Sequence, residues 1–165
     1  MRKLAVIVAL TATVFLASSC RAETVCPAIA QASVVALTVA PEYVSSVKSI
    51  HLKACQDGRC MGADLDLVPG STPIDQGCEP GSYGGDGVCS ATSSPDGTLT
   101  GMLMLESLTA SLIEVTVTGT GAAGQPLPVR ALAFTPRVAY PYGEQCGSFI
   151  TAGVVLDANG LRQAA

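Results

Sequence analysis

Seven cysteines give this chain its widest choice of chemistry, because a thiol can form a disulfide, bind a metal ion or carry a covalent modification. They lie at positions Cys20, Cys26, Cys55, Cys60, Cys78, Cys89 and Cys146. An odd number of cysteines in an exported chain leaves one without a disulfide partner. The chemistry therefore depends on whether the chain is exported and on which cysteine stands apart.

The segment from Cys55 to Cys60 reads Cys-Gln-Asp-Gly-Arg-Cys. Asp57-Gly58 is a favoured two-residue turn of a β-hairpin, so the two cysteines would form a cross-strand pair close to that turn. The alternative is half of a metal site. The spacing does not match the usual CxxC pattern, however, and no second cysteine or histidine pair complements it. We therefore predict a disulfide.

The other pairings are predicted from position. Cys78 and Cys89 flank a glycine-rich segment, and a bond between them would stabilise it by about 3 kcal/mol through chain entropy. Cys26 and Cys146 then remain, and their bond would join both ends of the domain. Six cysteines can be paired in many ways, so other connectivities stay open.

The N-terminal segment has the pattern of an export signal. Arg2 and Lys3 precede an uncharged apolar stretch at 4–16. That stretch is shorter than the roughly 20 residues that span a bilayer, but it suits the apolar part of a secretory signal. Ordinary cleavage after Ala22 would release a soluble protein that starts at Glu23.

The residues at 16–20, Leu-Ala-Ser-Ser-Cys, resemble the lipobox of bacterial lipoproteins, although Ala17 stands where leucine is usual. The resemblance implies that a signal peptide, 1–19, is removed and that Cys20 carries acyl groups such as palmitate. Residues 20–25 would form a short lipidated tether. Lipidation of Cys20 leaves six cysteines, an even set, which favours anchoring over free secretion.

Short β-branched runs separated by Gly, Pro, Asp and Ser predict about seven strands and an antiparallel β-sandwich. Alternation places Val35, Leu37 and Val39 on one face of the first strand. In the second strand it turns the side chains at 50, 52 and 54 inward, and in the third those at 63, 65 and 67. The stretch 69–97 is predicted to be a long turn-rich loop. The strands cover 32–40, 47–55, 61–68, 98–105, 112–118, 129–135 and 151–156.

Residues 113–127 look like the strand, glycine turn and Pro-Leu re-entry of bacterial immunoglobulin-like domains. The whole pattern resembles uncharacterised small lipoproteins of Gram-positive bacteria with GC-rich genomes. The resemblance implies that residues 26–165 form a single disulfide-stapled, immunoglobulin-like β-sandwich domain. It implies no activity.

Catalytic patterns are not evident. His51 is the single histidine and is predicted to face outward, and no GxSxG nucleophile motif occurs. Asp64 and Asp66 share one strand face, and with the acids at 57, 75, 79 and 86 they could offer oxygen ligands to calcium. A solvated strand face is the preferred interpretation. We therefore predict a non-enzymatic protein without cofactor.

The candidate binding surface combines Tyr83 and Asp86 of the 69–97 loop with Tyr140 and Tyr142. The alternative is that the turn at 140–143 packs its tyrosines on the sheet edge. A net charge of −4 without a basic cluster argues against nucleic acid as a partner.

These features predict a cell-envelope lipoprotein, held on the extracytoplasmic face of the cell membrane by its lipid. Its expected role is that of a binding or structural module, which engages another envelope protein. The alternative is a carrier or sensor for a small ligand or metal ion at the membrane surface.

Mass spectrometry of the mature N-terminus tests the lipid anchor. We expect the first residue to be Cys20 with the added mass of its acyl chains, because the cysteine count leaves this thiol without a disulfide partner. A mature chain that starts at an unmodified Glu23 would reject lipidation.

Overall fold

A computed structural model describes residues 25–79 and 88–164. The described residues form two β-sheets, one of six strands and one of four. In chain order the strands are β1 (Val34–Val39), β2 (Val47–Gln56), β3 (Arg59–Asp64), β4 (Val68–Glu79), β5 (Val88–Met104), β6 (Ile113–Gly121), β7 (Arg130–Phe134), β8 (Arg137–Ala139), β9 (Phe149–Asp157) and β10 (Gly160–Gln163). A short helix α1 (Pro41–Val44) joins β1 to β2, and a 3-10 helix spans Glu144–Cys146.

The large sheet has the order β10-β9-β1-β5-β4, and β8 pairs with β9 beside β10. The small sheet has the order β3-β2-β6-β7. One cluster of buried side chains draws on both sheets, so the two sheets share a core. The immunoglobulin-like arrangement predicted from the sequence is not shown by these strand orders.

The alternating pattern of the first two strands is confirmed. Val35, Leu37 and Val39 of β1 are each 0% exposed. Ile50 and Leu52 of β2 are buried in the same cluster, together with Ala54. Burial of these aliphatic side chains is the main stabilising contribution to the contact between the sheets.

The third predicted strand is only partly confirmed. Ala63, expected to face inward, is exposed, because β3 is an edge strand whose side chains lie outside the core. The chain then leaves the small sheet, and Leu65 and Leu67 pack against the core from its rim. Gly101 permits this approach, since a Cβ there would lie 3.1 Å from both leucines.

All neighbouring strands pair antiparallel except β1 and β9, which run parallel. The prediction of an antiparallel sandwich does not hold at this pair. Both strands enter the sheet from the same end, where the Cys26–Cys146 disulfide joins the segments that precede them. The amide of Gln31 also bonds to the backbone of Ile150 in both directions, which aligns the two segments.

The predicted loop at 69–97 is wrong, because its described residues belong to the antiparallel strands β4 and β5. We call the paired residues 71–79 and 88–95 the ribbon. The side chains at 71–78 and 88–95 are exposed or only half-buried, so the ribbon shows no inward-outward alternation that the sequence could reveal. Turn-forming residues are accommodated by irregularities in the register, one of them beside Gly77, which has a φ of 84°.

The three predicted disulfides are confirmed. Cys26–Cys146, Cys55–Cys60 and Cys78–Cys89 have Cα–Cα distances of 5.3, 4.0 and 3.9 Å. The predicted turn between β2 and β3 is also present: Asp57 and Gly58 have φ values of 51° and 77°. Positive φ at both central residues is the requirement of a type I′ hairpin turn.

Loss of the Cys26–Cys146 disulfide and loss of the Cys78–Cys89 disulfide should affect stability differently. The Cys26–Cys146 bond joins residues that are 120 positions apart in the sequence. Because the unfolded chain gains entropy without this bond, its removal should lower the free energy of global unfolding by about 5 kcal/mol. The Cys78–Cys89 bond closes 11 residues, and β4 packs on β5 with little other support. Its loss should open the ribbon without unfolding the core.

Denaturant unfolding and hydrogen exchange of the two double Cys→Ser variants measure these effects. We expect a lower unfolding midpoint for the variant at 26 and 146, and faster exchange confined to the ribbon for the variant at 78 and 89. Equal midpoint losses in both variants would contradict this division.

Candidate functional site

A cleft in the described residues lies on the large sheet beside β1 and β9. We call it the β1–β9 groove; its volume is about 490 Å³. It is lined by residues within 30–36 and 149–153, together with Arg137, Gln163 and Ala164. Its volume falls within the range of small-molecule sites in proteins.

The groove is apolar because of the strand residues that face away from the shared core. Val34 and Ala36 alternate with the buried residues of β1 and supply one wall. Gly153 of β9 lets the C-terminal segment lie close, since a Cβ there would come within 3.0 Å of the Cβ of Ala164. The backbone N–H of Ala164 donates to the Gly153 carbonyl at 2.9 Å, which extends the wall beyond β10.

The amide side chains of the groove already have partners. Gln31 accepts the Ile150 N–H at 3.1 Å and donates to the Ile150 carbonyl. The Gln163 amide donates to the carbonyl of Thr135 at 3.0 Å. Arg137 is different, because within the described residues no carboxylate lies within ion-pair distance of its guanidinium. The groove therefore joins an apolar wall to one cation that is free to bind an anion.

Aromatic side chains border the groove where β9 begins. The rings of Tyr142 and Phe149 meet edge to face, with centroids 6.1 Å apart, and Phe149 itself lines the groove. The Gly143 N–H donates to the Tyr140 carbonyl at 3.0 Å and closes the turn between the two tyrosines. Tyr140 and Tyr142 stay 49% and 42% exposed, so both remain accessible.

The structure thus brings one part of the predicted binding surface to a cleft. Tyr142 lies at the border of the groove, packed on Phe149 as the sheet-edge alternative expects. Tyr83 and Asp86 lie outside the described residues, as does Cys20. Sequence reasoning missed the groove itself, because Arg137 and residues 30–36 are far apart in the chain.

A second cleft, of about 270 Å³, lies at the tip of the β2–β3 hairpin. The Gln56 amide accepts the Thr109 N–H at 3.0 Å and donates to the carbonyls of Thr109 and Ser111 at 3.1 and 2.8 Å. Asp57 accepts the hydroxyls of the same two residues at 3.0 and 2.7 Å. These polar groups hold the 105–112 segment against the hairpin, which indicates a structural role.

His51 and Asp64 form a pair that the sequence did not indicate, with the Nδ1 and Oδ1 atoms 2.8 Å apart. They are opposite each other in the β2–β3 register, on the exposed face of the small sheet. A catalytic triad would require a nucleophilic hydroxyl group that is hydrogen-bonded to the same histidine. Within residues 25–79 and 88–164, no such bond to His51 and no cluster of three metal-ligating side chains is present.

Two carboxyl groups of the described residues, Asp96 and Asp157, have a lowered pKa, and neither lines the groove. The Thr98 hydroxyl and backbone N–H lower the pKa of Asp96, with a further contribution from Thr72. The Asn159 N–H is the main cause of the lowered pKa of Asp157. Asp157 also pairs with Arg162 at 3.5 Å, so this arginine already has a carboxylate partner while Arg137 does not.

No family model matches this chain, and neither a curated protein nor a solved structure is similar to it. Three disulfides indicate an extracytoplasmic protein, because such bonds persist in oxidising compartments. In the part of the chain that the structure describes, no helix is long and apolar enough to cross a membrane.

The hydrogen bonds of Gln56 predict a measurable loss of stability in a Gln56→Ala variant. Gln56 is only 9% exposed, and its removal leaves a backbone N–H and two carbonyls of the 109–111 segment without their partner. We expect the free energy of unfolding to fall by about 2 kcal/mol. Gln76→Ala, which removes an exposed bond to Thr92, is the matched control and should change it by less than about 0.5 kcal/mol. Equal losses in urea unfolding would contradict a structural role for Gln56.

Proposed function

We propose that this protein is an exported, lipid-anchored and non-enzymatic binding module of the bacterial cell envelope. The observation that supports the proposal most directly is the β1–β9 groove, an apolar cleft lined by Arg137, which has no carboxylate partner in the part of the chain that the structure describes. The groove and its aromatic border are the proposed binding surface for another envelope component.

Chain length supports an orientation with this surface close to the membrane. Cys26 is tied to Cys146, and the groove lining begins at Ala30. The tether at 21–25 spans at most roughly 17 Å when fully extended. A lipid on Cys20 therefore holds the disulfide end of the sandwich against the bilayer, so that the groove meets components of the membrane surface.

A second candidate is a carrier of small ligands, the alternative that the groove itself favours. Its volume of about 490 Å³ suits a small molecule better than a protein segment with many polar contacts. The metal-ion form of this alternative lacks comparable support in the described residues, where Asp64 is hydrogen-bonded to His51.

Photo-crosslinking on intact cells tests the proposed surface. A photoreactive amino acid at Tyr142 should give a discrete adduct, because this ring lies at the border of the groove. The control position is Lys53 on the exposed face of the small sheet, which should give none. The same adduct from both positions, or no adduct from Tyr142, would contradict binding of another envelope macromolecule at the groove.

The anchor is tested separately with a Cys20→Ser variant in the producing cell. We expect this variant to leave the membrane fraction and to accumulate in soluble form outside the cytoplasm. Undiminished membrane association would contradict lipid anchoring and leave the crosslinking result unaffected.

A further inference from the structure

We propose that the β1–β9 groove binds a long-chain fatty acid, with the acyl chain along β1 and the carboxylate on Arg137. The inference rests on the proposed function, since it names the class of ligand for the same site. Three features carry it: the apolar wall of the groove, the continuation of that wall onto β5, and the arginine of the groove, which has no ion-pair partner among the described residues.

The apolar wall continues beyond the groove. Val34 and Ala36 on β1 are in register with Met104 and Met102 on β5, so the four side chains lie on one face of the large sheet. The two methionines are 60% and 66% exposed. Methionine is a flexible apolar residue that adapts its shape to apolar ligands. The result is an apolar strip across two strands, which an extended hydrocarbon chain would cover.

The charge of the groove selects the head group. Arg137 stands opposite Thr151 in the β8–β9 register, at the groove, and it has no carboxylate partner among the described residues. A guanidinium binds a carboxylate through two parallel hydrogen bonds. Among the described residues that line the groove, Arg137 is the only charged one, so a monoanion balances it, whereas a doubly charged phosphate would leave excess negative charge.

The hydrocarbon and the carboxylate contribute by different means. Each CH₂ group that leaves water stabilises the complex by about 0.8 kcal/mol when fully buried, so chain length should control affinity. The side chain of Arg137 is exposed, so the ion pair should contribute at the lower end of the range for charged hydrogen bonds.

The test is equilibrium binding of radiolabelled palmitate to the Cys20→Ser chain with its disulfides intact. We expect saturable binding, weaker binding of the shorter octanoate, and weaker binding of hexadecanol, which has the same chain without the charge. Arg137→Gln should weaken palmitate binding by about tenfold and leave hexadecanol binding unchanged.

Matched variants separate the groove from the rest of the molecule. Arg162→Gln removes the same charge from a residue that pairs with Asp157, and it should leave the palmitate affinity unchanged. Ala36→Trp should block the groove, while Thr116→Trp on the outer face of the small sheet should not. Thermal unfolding of each variant shows whether it still folds.

Several results would overturn the inference: no saturable palmitate binding by the parent chain, equal losses in Arg137→Gln and Arg162→Gln, or unchanged binding in a folded Ala36→Trp variant. An adduct from Tyr142 on cells together with no palmitate binding would reject the fatty acid but keep the proposed function. Palmitate binding together with no adduct would instead limit the protein to a small-ligand carrier.

Discussion

Because β1 and β9 run side by side in the same direction, both strands enter the large sheet from the end that the Cys26–Cys146 disulfide closes. A parallel pair cannot be joined by a tight turn, so its alignment depends on contacts made before the strands begin. The disulfide and the two-way bond between Gln31 and Ile150 supply that alignment. Most of the chain folds between these two strands, and the shared core forms on their inner side.

The parallel pairing of β1 with β9 also forms the groove, on the face of the large sheet that points away from the core. Side chains of β1 alternate, so the register that buries Leu37 also turns Val34 and Ala36 toward solvent. The strand β8 contributes Arg137, and β10 leads to Ala164. The lining of the groove therefore comes from β1, β8, β9 and β10 and from the residues beside them. A site assembled in this way depends on the parallel alignment, although none of its lining residues belongs to a recognisable motif.

The disulfides act at different levels of the structure. Cys55–Cys60 lies beside a hairpin turn that the backbone already favours, and Gln56 and Asp57 hold a distant segment against that turn. Cys78–Cys89 crosses the ribbon, whose strands have little support from the core. The ribbon also carries prolines in both strands, which protect an exposed sheet edge from pairing with other chains.

Local rules determined part of this structure from the sequence alone. The alternation in β1 and β2, the Asp57-Gly58 turn and the Cys55–Cys60 pair beside it depend only on near neighbours, so the sequence predicts them. The Cys26–Cys146 pair was predicted only as the pair that remains, with other connectivities open. The ribbon was not predicted, because strands that are exposed on both faces need no alternation of apolar and polar residues. Tertiary structure alone decided the parallel pair, the hydrogen bonds between Gln56 and the 109–111 segment, and the groove around Arg137. Each of these depends on residues brought together from distant parts of the chain.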